Sequence, residues 1–198
     1  MCCVRPAGSP SGAPRGGEVS ALPLYRETVR PEWIDYNGHM SEAFYVLVFG
    51  FATDRMMIET GLHSEYRERT GCSLYTVESH IRYLRDVAEG DRLLVRTRVL
   101  GADAKRTRIA HELYVLGPDA QNDAERSDDT RSSDSGSTDV PGPGAEPVAT
   151  TELLALHVDQ QAGRTTPFPD QVRERLVALT EAAPAWAGRS IAEVPAAR

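Results

Sequence analysis

One long apolar stretch without a two-residue period stands among several that have one. Leu24 to Arg30 reads as a short first strand, closed by Pro31. Ser41 to Thr60 predicts a helix. Ser41 suits the N-cap, Glu42 the positive end of the helix dipole, and Gly61 the C′ position. Its first half, Ala43 to Ala52, is apolar almost all round, which predicts a buried helix. His63 to Thr70 predicts a second, short helix ended by Gly71. Four strands follow. Cys72 to Arg85 alternates, with Tyr75, Val77, Ser79, Ile81 and Tyr83 on one face and Thr76, Glu78, His80 and Arg82 on the other. Asp91 to Leu100 comes after a Glu89-Gly90-Asp91 turn. Lys105 to Leu116 puts Thr107, Ile109, His111, Leu113 and Val115 on one face, and Val148 to Val158 is the last strand. Pro167 and Pro169 lead into a helix over Asp170 to Ala182.

Consecutive strands joined by short turns favour an antiparallel meander. The sheet needs a cover for its apolar face, and the long apolar helix is the candidate. The expected architecture is α+β: an antiparallel five-stranded sheet wrapped around one long central helix. Residues 22–183 form this domain. Residues 1–21 and 184–198 read as tails, the first disordered by composition, with Val19 a candidate alternative start.

Charge sharpens the division. The net charge is −7, but Gly117 to Pro147 holds eight acids and two arginines. That segment alone carries −6, leaving about −1 for the rest. Its Ser/Asp/Gly/Pro composition builds no core, so 117–147 is expected to be a disordered insert between the last two strands. A nearly neutral domain gives no reason to expect nucleic acid. No apolar run suits a membrane span or a secretory signal, so no membrane partner is expected. Three cysteines, Cys2, Cys3 and Cys72, make neither a disulfide framework nor a metal spacing. A reducing cytoplasm fits them, and no metal or cofactor is expected.

Just ahead of the long helix runs Pro31-Glu32-Trp33-Ile34-Asp35-Tyr36-Asn37-Gly38-His39-Met40. Asn37-Gly38 is turn chemistry, and Asp35 could simply form or cap that turn. The string also resembles the Asp-x-x-Gly-His/Val signature of hotdog-fold thioesterases of the hydroxybenzoyl-CoA type. Val77 to Arg85 with Gly90-Asp91 and Leu93, and Leu156 to Asp159 with Arg164 and Pro167-Phe168-Pro169, resemble later parts of that family. The run from Trp33 to Glu42, with Phe49-Gly50 and Ala52-Thr53-Asp54, is similar to betainyl-CoA thioesterases.

The resemblance implies hydrolysis of a small acyl-CoA, with Asp35 as nucleophile or as base for water. It implies a homodimer or a dimer of dimers. Free amides around Met40, Ser41, Glu42 and Ala43 would receive the oxyanion, and Gly38 would let the thioester approach the backbone. His39 would orient Asp35 or bond the thioester oxygen, or else satisfy a loop carbonyl. Asn37 would position water or serve the turn. Trp33, Tyr36 and Tyr45 would give aromatic faces to a quaternary ammonium, or pack the core around the helix start. Glu78 and His80 would complete the site of a facing subunit, or be solvated. Arg82, Arg85, Lys105, Arg106 and Arg108 are available for coenzyme A phosphates, or serve as solubilising charges. His111 and His157 read as structural. Beside hydrolysis of betainyl-CoA to betaine and coenzyme A, three alternatives remain: a thioesterase for another short, medium or aromatic acyl-CoA, a dehydratase of the same fold, disfavoured because the helix carries no histidine, and a non-catalytic acyl-CoA-binding module.

Overall fold

The computed structural model describes residues 22–117, 141 and 144–189. The expected disordered tail 1–21, and residues 118–140 and 142–143 of the expected insert, lie outside the described residues. Strand β1 (Tyr25–Thr28) is followed by a 3-10 turn at Pro31–Trp33 and helix α1 (Glu42–Glu59). Next come α2 (Ser64–Thr70), β2 (Cys72–Tyr83), β3 (Arg92–Ala102), β4 (Arg106–Leu116) and β5 (Ala149–Asp159). A two-residue strand β6 (Arg164–Thr165) and α3 (Asp170–Ala178) complete the described elements. Gly71 ends α2 in the left-handed conformation at φ 68°, where a side chain would be strained.

The sheet is antiparallel throughout, in the order β1-β3-β4-β5-β2 with β6 beside β5. This is the hotdog arrangement, four long strands and the four-residue β1 curled over α1, plus the short β6. The expected meander holds only for β3, β4 and β5. Strand β2 pairs with β5, not with β3, so the link from β2 to β3 crosses the sheet end. That crossing is pinned from both sides. Met40 N donates to Val87 O at 2.8 Å, and Val29 N donates to Asp91 O at 3.0 Å.

A bulge corrects the expected faces of β2. Thr76 lies opposite Ala155 and Glu78 opposite Leu154, so Val77 is the extra residue. Simple alternation breaks there. Tyr75 faces away from α1 with Leu156, while Ser79 and Ile81 face inward with Leu153 and Thr151. On β4, Thr107, Ile109, His111 and Leu113 are buried as expected, but Ala110, Glu112 and Tyr114 on the other face are buried as well.

Two apolar clusters fill the space under the sheet. One gathers Trp33, Tyr45, Val48, Phe49, Ala52, Val95 and Leu113. The other gathers Met56, Leu62, Leu74, Ile109, Phe168 and Leu176. Helix α1 feeds both, and burying Phe49 or Met56 stabilises by roughly 1.5–3 kcal/mol each. The expectation that α1 is buried all round needs correction. One sheet covers one side of a cylinder, and Ala43, Val46, Leu47, Gly50 and Ile58 stay exposed in the single chain.

Both buried histidines are structural. Thr53 Oγ1 donates to Phe49 O, so it can only accept from His111 Nε2 at 2.9 Å. Nδ1 of His111 therefore accepts from Thr97 Oγ1 at 3.0 Å. Burial pushes this imidazole down to about 3, so it stays neutral. His157 has the other tautomer, because its Nδ1 faces the carbonyl of Thr166 at 3.0 Å and must donate. Its Nε2 accepts from Tyr66 Oη at 2.9 Å, which ties α2 to β5.

On the convex face, residues 184–189 lie against the sheet. Trp186 Nε1 donates to Glu112, which also pairs with Arg98 at 3.1 Å. Gly188 N donates to Glu152, which pairs with Arg108.

Candidate active site

The segment before α1 closes on itself. Ile34 and Met40 form a short antiparallel bridge, Asp35 N donates to His39 O at 2.9 Å, and Gly38 N donates to Asp35 O at 3.0 Å. Gly38 has φ +82°, which explains why a glycine stands at this turn. The half-buried carboxylate of Asp35 is held inside the turn. Its Oδ1 accepts from Asn37 N at 2.8 Å and its Oδ2 from Asn37 Nδ2 at 3.3 Å. Asp35 is thus a turn-former in fact, and a fixed, partly accessible carboxylate at the same time.

The helix start is more restricted than expected. Met40 N and Ser41 N are already engaged, with Val87 O and with Trp33 O at 2.9 Å. Phe44 N bonds Ser41 O at 3.0 Å, and Ser41 makes no side-chain cap. Among the described residues, the amides left without a partner in this first turn are those of Glu42 and Ala43. They are adjacent donors at the positive end of an 18-residue helix, suited to a developing negative charge.

The His39 side chain makes no hydrogen bond to the Asp35 carboxylate, which is held by Asn37. Nε2 of His39 lies 3.0 Å from Asp86 Oδ2, across to the β2–β3 link. Of Trp33, Tyr36 and Tyr45, the first and last pack in the core around the helix start, the alternative reading, and Tyr36 stands apart from them. Trp33 is 4% exposed, stacked on Phe44 at 5.2 Å with Arg30 over its ring. Tyr36 is 97% exposed. Tyr45 is buried, with its ring 5.1 Å from that of Tyr83 in an edge contact. Its phenol is pushed up to about 12 by burial first, then by Asp86.

Glu78 and His80 share one face, as read from the sequence, but it is the convex one. His80 lies opposite Glu152, on the side away from α1. Both line a concavity of about 740 Å³ with Arg108, Glu152 and Arg189. The structure does not bring them to Asp35 of their own chain. Arg106 and Arg108 are committed to Asp103 and Glu152.

Residues 29–176 match the thioesterase-like superfamily. The chain belongs to that superfamily. This thioesterase is an acyl-CoA thioester hydrolase, as its hotdog sheet and its relatives agree. The betainyl-CoA thioesterase of Pseudomonas aeruginosa is 40% identical over 161 residues, covering 81% of this chain and 85% of the relative. The L-carnitine dehydrogenase/betainyl-CoA thioesterase of Agrobacterium fabrum is 40% identical over 165 residues, 82% of this chain but 28% of that longer protein. A solved structure from Pseudomonas putida KT2440 is 33% identical with a TM-score of 0.65, covering 89% of this thioesterase and 99% of that chain.

Reading the sequence missed Asp86 and Tyr83 as neighbours of the helix start. Asp86 lies in a link whose path depends on the strand order. In the sequence Tyr83 is only one more residue on one face of an alternating strand, and its place beside Tyr45 follows from β2 lying at the sheet edge.

Proposed function

We propose that this thioesterase hydrolyses betainyl-CoA to betaine and coenzyme A, with Asp35 as the catalytic carboxylate. The observation that carries the chemistry is the closed loop from Ile34 to Met40. It fixes the Asp35 carboxylate in the segment leading to two unpaired amides, those of Glu42 and Ala43. The thioester oxygen accepts from those amides as the carbonyl carbon is attacked. Asp35 either takes the proton of an attacking water or attacks directly, and the carbon–sulfur bond breaks to release the coenzyme A thiolate. The direct route makes a mixed anhydride that water then cleaves. Label in the Asp35 carboxylate after single turnover in oxygen-18 water marks the anhydride route with water attacking the Asp35 carbonyl carbon, and trapping of a covalent acyl-enzyme detects that route when water attacks the acyl carbon instead. The substrate assignment is supported by the 40% identity to the betainyl-CoA thioesterase of Pseudomonas aeruginosa. Thiol release from a panel of acyl-CoA thioesters tests it. Betainyl-CoA is expected to give the highest kcat/KM, and a higher value for a neutral short acyl-CoA would overturn the assignment.

The proposal includes a homodimer or dimer of dimers. Strand β2 has β5 on one side and no strand on the other among the described residues, leaving a 12-residue edge. Val77 within it, and Val46 and Leu47 on the open stripe of α1, are exposed. A second copy would pair the edge and cover the stripe. Coenzyme A thioesters and the unpaired Cys72 suit the cytoplasm. No described helix is long and apolar enough to cross a membrane.

A further inference from the structure

We propose that the ring of Tyr83 and the carboxylate of Glu42 together form the subsite for a permanently cationic acyl group. The inference rests on the betainyl-CoA reading and names the residues that would select for it.

The substrate's own dimensions limit where its cation can be read. In a betainyl thioester one methylene separates the quaternary nitrogen from the carbonyl carbon, so the two lie about 2.5 Å apart by ordinary bond geometry. With the carbonyl oxygen on the amides of Glu42 and Ala43, the trimethylammonium must sit beside the first turn of α1. That end of the helix carries positive potential, which helps the oxyanion and repels the cation. A site for this substrate therefore needs a negative charge and an apolar, electron-rich surface within one side chain of the helix start.

Glu42 and Tyr83 meet that requirement. Glu42 is the first residue of α1 and is exposed. Tyr45 stands three residues on, so the two share a helix face. On that face Tyr45 holds the Tyr83 ring in edge contact, at 5.1 Å and 78°. The contact orients the Tyr83 ring while leaving the residue 47% exposed in the single chain. An oriented, open tyrosine beside a carboxylate is a receptor for a soft, methylated cation. In keeping with this placement, the Tyr83 phenol is held above its ordinary pKa by burial first and by the Glu42 carboxylate second. The other candidates are less suited. Trp33 has its faces taken by Phe44 and Arg30, and Asp86 is paired with His39.

The test compares betainyl-CoA with its neutral isostere, 3,3-dimethylbutanoyl-CoA, on the full chain. The ratio of kcat/KM values is measured for wild type, Tyr83→Leu, Tyr83→Phe and Glu42→Gln. Tyr83→Leu is expected to lower the ratio at least about 2-fold, the range of one cation–aromatic contact, and Glu42→Gln to lower it through the lost opposite charge. Tyr83→Phe keeps the ring face and is expected to keep the ratio. A thermal melt of each variant reports that it is folded. Equal losses on both substrates in both variants would overturn the subsite while leaving the betainyl-CoA reading intact. So would a Tyr83→Phe enzyme as impaired as Tyr83→Leu. A wild type that shows no preference for the cation would instead remove the substrate reading, and the subsite with it.

Discussion

His39 Nε2 sits 3.0 Å from Asp86 Oδ2, so the loop that carries Asp35 is tied to the β2–β3 link and not to the Asp35 carboxylate. Both partners are largely exposed, and such pairs contribute about 0–1 kcal/mol. The main restraint on the loop is the backbone bond from Met40 to Val87. Asp86→Asn and His39→Gln should each cost less than about 1 kcal/mol in urea unfolding. They should lower kcat less than about 10-fold, far below the loss for a general base. A loss of 100-fold or more in His39→Gln would show that this histidine acts on the substrate.

His111 makes stability depend on pH. Its folded pKa, about 3, is depressed below the ordinary 6.5 by burial. The unfolded chain therefore binds this proton first. The contribution is fully present above pH about 6.5 and is lost as pH falls towards 3, by up to about 1.4 kcal/mol per pH unit. His111→Gln removes this proton. It should destabilise at pH 7 through the Thr53 and Thr97 bonds, and should flatten the decline between pH 6 and pH 4.5. Urea midpoints at those pH values check it, and an unchanged slope would contradict it.

Much of the fold was legible in the chain because local patterns coincide with tertiary demands. The β4 alternation predicted the buried Ile109, His111 and Leu113, and Gly71 marked the end of α2. The failures have identifiable causes. Period-2 reading cannot see the extra residue at Val77, which reverses Tyr75 relative to Ile81. Apolar content cannot say that α1 keeps one face open in a single chain. Proximity in sequence suggested that Trp33, Tyr36 and His39 surround Asp35. Instead, packing takes Trp33, the turn throws Tyr36 outward, and Asp86 takes His39.

Thr151 Oγ1 is buried without a hydrogen-bond partner, facing inward opposite His111. Thr151→Val keeps the shape and removes the unsatisfied hydroxyl. It should stabilise by roughly 1 kcal/mol. A thermal melt should then rise by about 2–4 °C. A lower midpoint would mean that the hydroxyl has an unseen partner.

Val46 and Leu47 lie on the open stripe of α1. If a second copy covers it, Val46→Glu places a charge in that contact and should shift light scattering from dimer or tetramer to monomer. The variant should stay folded, because residue 46 is exposed in the single chain. A wild type that is monomeric and fully active would contradict the assembly.

The account turns on the carboxylate of Asp35. Asp35→Asn keeps an oxygen that can accept from Asn37 N, so the turn, the Ile34–Met40 bridge and the helix start should persist. It removes the base and the nucleophile together. The decisive measurement is kcat/KM of Asp35→Asn on betainyl-CoA, with a thermal melt alongside. A fall of at least about 100-fold with an unchanged melt is expected. Turnover near that of the wild type would show that Asp35 only shapes the turn.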